Sequence, residues 1–531
     1  MTRIPLLKSL QEVATACALI TLSGCASNSP ITDANWPQNK PSIDGYNIEQ
    51  SKRVLLHGLS EINERALDEP SIEKLVVRGL RGLVEVDPLF SITETNERLR
   101  TYIGTELASD LIKPSSNRIT EWVDMFHGAV IGSRRKSLLL HSADKEQIYH
   151  AFFETSLQGL DPYSRYAGKL QARSNRETRN GFSGIGIRFL IDELGLNITA
   201  VQNNAPAAVA GLQVGDIITH VDGISIVSKK RWSVRRLLRG TAGTKTKFII
   251  IREKLGAAFP ATLTRGLIVA PTVDTKVVDG IAVIKIHSFN QQTTQSVNAE
   301  LTRILTAYSS ILGIVLDLRG DPGGLLDQAV SVSDLFMETG HIVSTRGRHL
   351  ESIQLYEAFA GDIAEGRPLI VLTDSRSASA AEIVAAAIQD NGRGFVVGTS
   401  TYGKGTVQTV IRLPNNGEIT LTWSQFHAPD GYAIENLGIL PFVCTSGLSG
   451  SAEKVLRSWH TAGSRIANMK AQWRTVAPHD VIARSGLRSL CPAEVRPDTS
   501  NDLEIAISLL SDPQLYAQAL GYTAITEAQQ E

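Results

Sequence analysis

Between residues 267 and 445, short and almost wholly apolar runs alternate with helix-forming stretches. IAVIKI (281–286), GIVLDLRG (313–320), PLIVLTD (368–374) and FVVG (395–398) are separated by helical patterns near 293–307, after Gly324 and from Ser377 to Asp390. A strand that is apolar on both faces must be covered on both, so this block reads as an α/β layer around a buried sheet. Chemistry in such a layer is expected at the strand ends, where the loops gather.

The chain has 531 residues, enough for about three or four units of ordinary size. Hydrophobic residues at 42 % and charged residues at 20 % exclude a disordered chain or a membrane bundle. Lys plus Arg (53) balances Asp plus Glu (54), so no global field draws the protein to nucleic acid, and partners must be chosen by a site.

The first residues, MTRIPLLKSLQEVATACALITLSGC, carry Arg3 and Lys8 ahead of an apolar stretch from Val13 to Leu22. That stretch is too short to span a bilayer and reads as a signal peptide over 1–24. Leu22-Ser23-Gly24-Cys25 resembles the lipobox of bacterial lipoproteins, which implies lipidation at Cys25, and the following Ala26-Ser27 implies the outer membrane of a Gram-negative cell, facing the periplasm. Cys17 leaves with the signal and Cys25 is acylated, so Cys444 and Cys491 are left in an oxidising compartment and are expected to form a disulfide.

A polar, proline-bearing tether follows over 25–47, and helical periodicity over 48–181 (Val54, Leu55, Leu59, Ile62; Ile148, Phe152, Phe153, Leu157) predicts a helical N-terminal region. Within it, LDPYSRYAG (160–168) breaks the period. Over 182–266 the texture turns to short β-rich runs with glycine turns. The order FSGIGI, NNAPAAVAGLQVGDIITHVDG, WSVRRLLRG resembles a circularly permuted bacterial PDZ domain. The resemblance implies that amides around Gly184-Ile185-Gly186-Ile187 receive a terminal carboxylate, while Val234, Leu237 and Leu238 line a side-chain pocket. Basic residues crowd the same helix (Lys229, Lys230, Arg231, Arg235, Arg236, Arg239) and read as a solvated face. The last segment, 446–531, is helical in pattern without an interpretable motif.

Three segments of the α/β block carry candidate chemistry. Asp317-Leu318-Arg319-Gly320-Asp321-Pro322-Gly323-Gly324 runs from a strand into a Gly-Gly turn whose amides can hold an oxyanion. Asp374-Ser375-Arg376-Ser377-Ala378-Ser379-Ala380-Ala381-Glu382 leads into a helix N-terminus with Ser379 as candidate nucleophile, although Ser379 and Glu382 also have the spacing of a capping box. Thr401-Tyr402-Gly403-Lys404-Gly405-Thr406-Val407-Gln408 sets one lysine between glycines, with Lys404 as candidate base.

Together with LTWSQFHAPDGYAIENLGILP (421–441), these segments over about 160–445 resemble the C-terminal processing peptidases, or tail-specific proteases, a family of serine-lysine endopeptidases. The resemblance implies a multidomain α/β chain with an inserted PDZ domain (182–266), a crotonase/ClpP-like protease core (267–445) and helical ends. It places the nucleophile at Ser379, the base at Lys404 and the oxyanion donors at the amides of Gly324 (or Gly323) and Ala380. Ala381 stands where the family has serine, and Phe442 where it usually has aspartate.

An ammonium near its reference pKa of about 10.4 cannot accept a proton at neutral pH, so Lys404 must be desolvated. A neutral group suits such a base better than a carboxylate, which favours Gln408 over Asp390 as its positioning residue. His287, His341 and His427 sit in no triad motif, and without H-E-x-x-H or C-x-x-C no metal site or other cofactor is expected. Expected partners are unfolded or tail-exposed envelope proteins, with an adaptor and self-association left open. The alternative is an inactive PDZ scaffold.

Overall fold

The computed structural model describes residues 47–253, 256–359, 361–447, 463–498 and 500–524. The signal peptide, Cys25 and nearly all of the tether lie outside them. None of the described helices is long and apolar enough to cross a membrane.

Four helices, Ile48–Arg65, Ile72–Arg81, Ile119–Arg134 and Lys145–Leu157, make most of the N-terminal region. Each of the periodic positions read from the sequence is buried, and Trp122, Phe126, Phe152 and Phe153 fill the space between them. Asn47, Ser71 and Asp144 cap three of these helices through side-chain oxygens, satisfying amides that the helix itself leaves open. The region is not purely helical. An antiparallel meander of Phe90–Glu94, Arg98–Ile103 and Glu106–Ile112 interrupts it. Its signal was a period of two, with Leu99 and Thr101 inward and Arg100 outward, too short to stand out beside long helices.

In the β-rich module the sheet order is Ala257–Thr264, Lys245–Arg252, Ile217–Val221, Leu196–Val201, Ile187–Ile191. Ile187–Ile191 is therefore an edge strand with one side open to pairing. Val234 and Leu238 from the helix Arg231–Leu238 are buried in the module's core with Ile185, so neither is open as the pocket lining expected of them. Ile187 and Leu237 are only partly covered. The module joins the rest of the chain through Phe182–Gly184 paired with Gly266–Ile268, and through Arg239, which ion-pairs with Glu177 at 2.6 Å. The helix bearing Glu177, Lys169–Asn180, is in turn held by Arg176 and Arg179 on the buried carboxylate of Glu418.

The central sheet runs Val273–Val278, Ile281–Ile286, Gly313–Asp317, Leu369–Thr373, Phe395–Gly398, Val443–Cys444. Its first pair is antiparallel and the rest are parallel. Helices Thr293–Ala307, Leu326–Asp334 and Ala380–Asp390 cover one face. The other face is closed by Asp502–Ser511 and Pro513–Ala524, whose Ile505, Leu509, Leu510 and Tyr516 pack on Val283, Val315, Ile370 and Leu372. The C-terminal segment, mute as sequence, is thus the layer that the two-sided apolar strands demand.

Cys444, on the last strand of this sheet, is joined to Cys491 across 47 residues of chain. Closing a loop of that length removes about 4 kcal/mol of denatured-state entropy. Replacing both cysteines by serine is expected to lower the urea unfolding free energy by roughly 2–4 kcal/mol. Unfolding of the double variant, unlike that of the parent, should not respond to reductant.

Candidate active site

Three parallel strands, Gly313–Asp317, Leu369–Thr373 and Phe395–Gly398, end side by side, and the three motifs are the loops that leave them. The first two loops are tied together. The Ser377 hydroxyl donates to the Leu318 carbonyl at 2.8 Å, the Ala378 amide donates to the Asp321 carbonyl at 3.0 Å, and the Asp374 carboxylate accepts from the Gly320 amide at 2.9 Å. Asp317 and Arg319 form a buried ion pair at 2.7 Å beneath them.

Ser379 immediately precedes the helix Ala380–Asp390 and holds φ 55°, ψ −112°, a region that costs a non-glycine residue about 1–3 kcal/mol. The partner that sustains this conformation is Glu382. Its carboxylate is fully buried and accepts from the Ser379 amide at 2.7 Å, the Thr401 hydroxyl at 2.5 Å, the Gly403 amide at 2.7 Å and the Lys404 amide at 2.9 Å. The Ser379 and Lys404 amides share one oxygen, Oε2, so one side chain sets where both backbones stand. Burial pushes the Glu382 carboxyl up, and the four donors pull it back down.

The Lys404 amine is pushed below its ordinary range chiefly by burial and next by the Arg165 charge, against the pull of Glu435, Glu382 and Asp161. It lies 4.9 Å from the centre of the Tyr163 ring. That ring belongs to LDPYSRYAG, where Asp161 accepts from the Tyr163 and Ser164 amides and from the Thr422 hydroxyl at 2.8 Å, folding the segment onto the strand Glu418–His427. Behind the lysine, the Gly405 amide donates to Glu435 at 2.7 Å; a Cβ on Gly405 would stand 2.1 Å from the Glu435 nitrogen, so only glycine fits.

At the Gly-Gly turn, a Cβ on Gly323 would stand 2.5 Å from the Ala378 carbonyl and 2.9 Å from the Ala380 nitrogen, which brings this turn against the loop that carries Ser379. The Gly323 amide is spent on Asp321 at 2.7 Å. Among the described residues, the amides of Gly324 and Ala380 donate to nothing, so of the two glycines offered by the sequence Gly324 is the free donor. Asp321 is fully buried, and burial raises its carboxyl to about 8.

Gln408 is not hydrogen-bonded to Lys404. Its amide nitrogen donates to the hydroxyls of Thr406 at 3.0 Å and Thr422 at 3.3 Å. Asp390 lies at the far end of the helix that Ser379 precedes, raised to about 7 by burial and by Asp430. His287 and His341 sit in exposed pairs with Asp274 and Glu357. Among the described residues there is no cluster of three or more metal-ligating side chains. In the sequence Glu382 carries only a capping spacing, and Tyr163 and Glu435 lie in LDPYSRYAG and in the 421–441 segment with no role of their own.

Fold and site together define a peptidase that carries a PDZ domain. Residues 280–443 match peptidase family S41 and residues 198–252 match the PDZ domain. The carboxy-terminal-processing protease of Bartonella bacilliformis is 35 % identical over 301 residues, covering 56 % of this chain and 69 % of that protein. The carboxy-terminal processing protease CtpA of Bacillus subtilis is 32 % identical over 313 residues, covering 58 % of this chain and 66 % of that one. A probable CtpA-like serine protease of Staphylococcus haemolyticus is 32 % identical over 305 residues, with 56 % and 60 % covered. The chain belongs to peptidase family S41, among its carboxy-terminal-processing serine proteases.

Two outcomes follow from the buried carboxyls. Glu382→Gln sets an NH2 against backbone donors and is expected to lower kcat about 10–100-fold in folded protein. Asp321 has a folded pKa raised above its unfolded value near 3.8, so its contribution to stability is full below pH 4 and is lost as pH rises to about 8. Asp321→Asn should therefore gain in unfolding free energy relative to the parent from pH 4 to 8 and hold level above; a pH-independent difference would contradict the burial argument.

Proposed function

We propose that this protein is a lipid-anchored, periplasm-facing endopeptidase that captures unstructured C-terminal tails on its PDZ domain and cleaves peptide bonds with Ser379 and Lys404. The observation that carries the catalytic part is the single Glu382 carboxylate bonded to the backbones of both residues. Burying a carboxylate costs several kcal/mol unless it is fully bonded, and an inactive scaffold would have no use for that expense at this place.

Neutral Lys404 takes the Ser379 Oγ proton as the oxygen attacks the peptide carbonyl. The amides of Gly324 and Ala380 receive the resulting oxyanion, each worth about 3 kcal/mol. The C–N bond then breaks, Lys404 returns the proton to the leaving amine, and an ester remains on Ser379. Water, activated by Lys404, hydrolyses that ester. Burial of the amine supports its role as base, because desolvation disfavours the ammonium and moves its pKa down from the ordinary lysine range. Gln408 would position it through its side-chain carbonyl oxygen, the end not spent on Thr406 and Thr422.

The open edge at Ile187–Ile191 supports the tail-binding role, since an extended peptide can add there as a further strand with its carboxylate at Gly184–Ile187. Lipidation at Cys25 and exposure to the periplasm rest on the lipobox-like segment. Full-length protein incubated with an unfolded substrate bearing an apolar tail should yield fragments, and Ser379→Ala and Lys404→Ala should yield none. Gln408→Ala should lose most activity, whereas Asp390→Asn should keep much of it. Unchanged cleavage by the Lys404 variant would end the dyad reading.

A further inference from the structure

The helix Val481–Arg488 lies beyond the residues that match the peptidase family, yet it reaches the lysine's loop. Arg488 donates through Nη1 to the Leu437 carbonyl at 2.6 Å and through Nη2 to the Thr401 carbonyl at 3.1 Å. Thr401 is the residue whose hydroxyl donates to Glu382 and accepts from the Ile439 amide at 2.7 Å, so the guanidinium closes a ring of bonds around the turn that delivers Lys404. Two glycines make room for it. A Cβ on Gly403 (φ 88°) or on Gly438 (φ 79°) would stand 3.0 Å from Nη1.

One turn earlier, the fully buried Arg484 donates to the Ala433 and Glu435 carbonyls, both at 2.6 Å, and so braces the loop whose Glu435 carboxylate holds the Gly405 amide. Trp473 adds a bond to the Gly438 carbonyl at 3.1 Å. Cys491, three residues past Arg488, fixes this segment to the central sheet through Cys444. Arg488 is also the cation whose charge Glu382 feels from this side, and its own guanidinium is lowered by burial against that attraction.

We propose that Arg488 is a positioning residue for the peptidase reaction: from the C-terminal helix it locks the Thr401–Lys404 turn onto Glu382 and supplies the counter-charge for that buried carboxylate. A guanidinium is suited to this because its planar fork bridges two carbonyls while its charge does not titrate. The structural alternative, a residue that merely packs the helix, predicts lost stability without any change in the chemistry of the lysine. The inference rests on Ser379 and Lys404 being nucleophile and base.

The test uses the full-length enzyme and an unfolded, tail-bearing substrate, with rates normalised to folded protein. Arg488→Ala is expected to lower kcat at least about tenfold with KM within about twofold, since the tail is held elsewhere on the molecule. Loss of the cation lets Glu382, which holds the Ser379, Gly403 and Lys404 amides and the Thr401 hydroxyl and also faces the Lys404 amine, keep a proton to higher pH, and the anion that shapes the turn is then lost below a higher pH. The acid limb of the rate profile should therefore move to higher pH. Guanidinium ion at millimolar concentration should restore part of the lost kcat by filling the glycine-lined space. Arg488→Lys keeps the charge and loses the fork; it should retain the parental acid limb with a reduced kcat, and it decides the matter if the alanine variant does not fold.

A parental kcat in either variant, or an unmoved acid limb in folded Arg488→Ala together with no rescue by guanidinium, would overturn the proposal. If Ser379→Ala or Lys404→Ala were active, the dyad reading would fail first; if those are inactive and the Arg488 variants are normal, only this inference falls.

Discussion

The Glu382 carboxylate is the interaction on which the site depends. It sits with no solvent exposure and is bonded on one side to the amide of Ser379 and on the other to Thr401, Gly403 and Lys404. An anion in that position is tolerable only while all its donors are in place, and the donors come from two loops that leave different strands. The desolvation penalty therefore couples those loops: a displacement of either uncovers part of the charge. The strained backbone at Ser379 is held by the same bonds.

Around this carboxylate the environment divides by charge. As the proposed base Lys404 needs to be neutral, and burial with the nearby Arg165 favours that, while Glu382 and Glu435 pull the other way and direct their oxygens to backbone amides. Directing the carboxylates toward backbone donors lets the loop be shaped by strong bonds without giving the amine a direct ionic partner. Asp321 follows a related logic at the other wall. Raised to about 8, it stays mostly neutral at pH 7, so the turn offering the Gly324 amide carries little competing negative charge.

The fold was legible wherever a period ran long enough. The strands at 281–286, 313–317, 369–373 and 395–398 and the helix from Ala380 to Asp390 fall on their apolar runs. The meander at 90–112 did not show, because its three short strands carry few inward positions each and their pairing is a contact between segments. Val234 and Leu238 were legible as apolar helix positions, but whether such a position faces a groove or the core beneath it depends on the sheet packed against it. The helices beyond 463 gave an amphipathic texture and nothing more; their place as the sheet's second cover, and the reach of Arg484 and Arg488 to the active-site loops, arise from chain folding back over long separations.

What the sequence determined by itself is chemistry carried by residue type in local order: a serine at a helix start, a lysine among glycines, a Gly-Gly turn after an apolar strand, and a β-rich module between them and the N-terminal helices. Local order suffices there because strand ends, helix starts and tight turns are set by neighbours a few residues apart. Only the tertiary structure decided that Glu382 is the shared acceptor rather than a simple cap, that the Gly324 amide and not that of Gly323 is free, and that Gln408 turns its nitrogen to threonines. Each of those depends on which groups meet after burial has removed water as a partner, and that is settled by packing between segments tens to hundreds of residues apart.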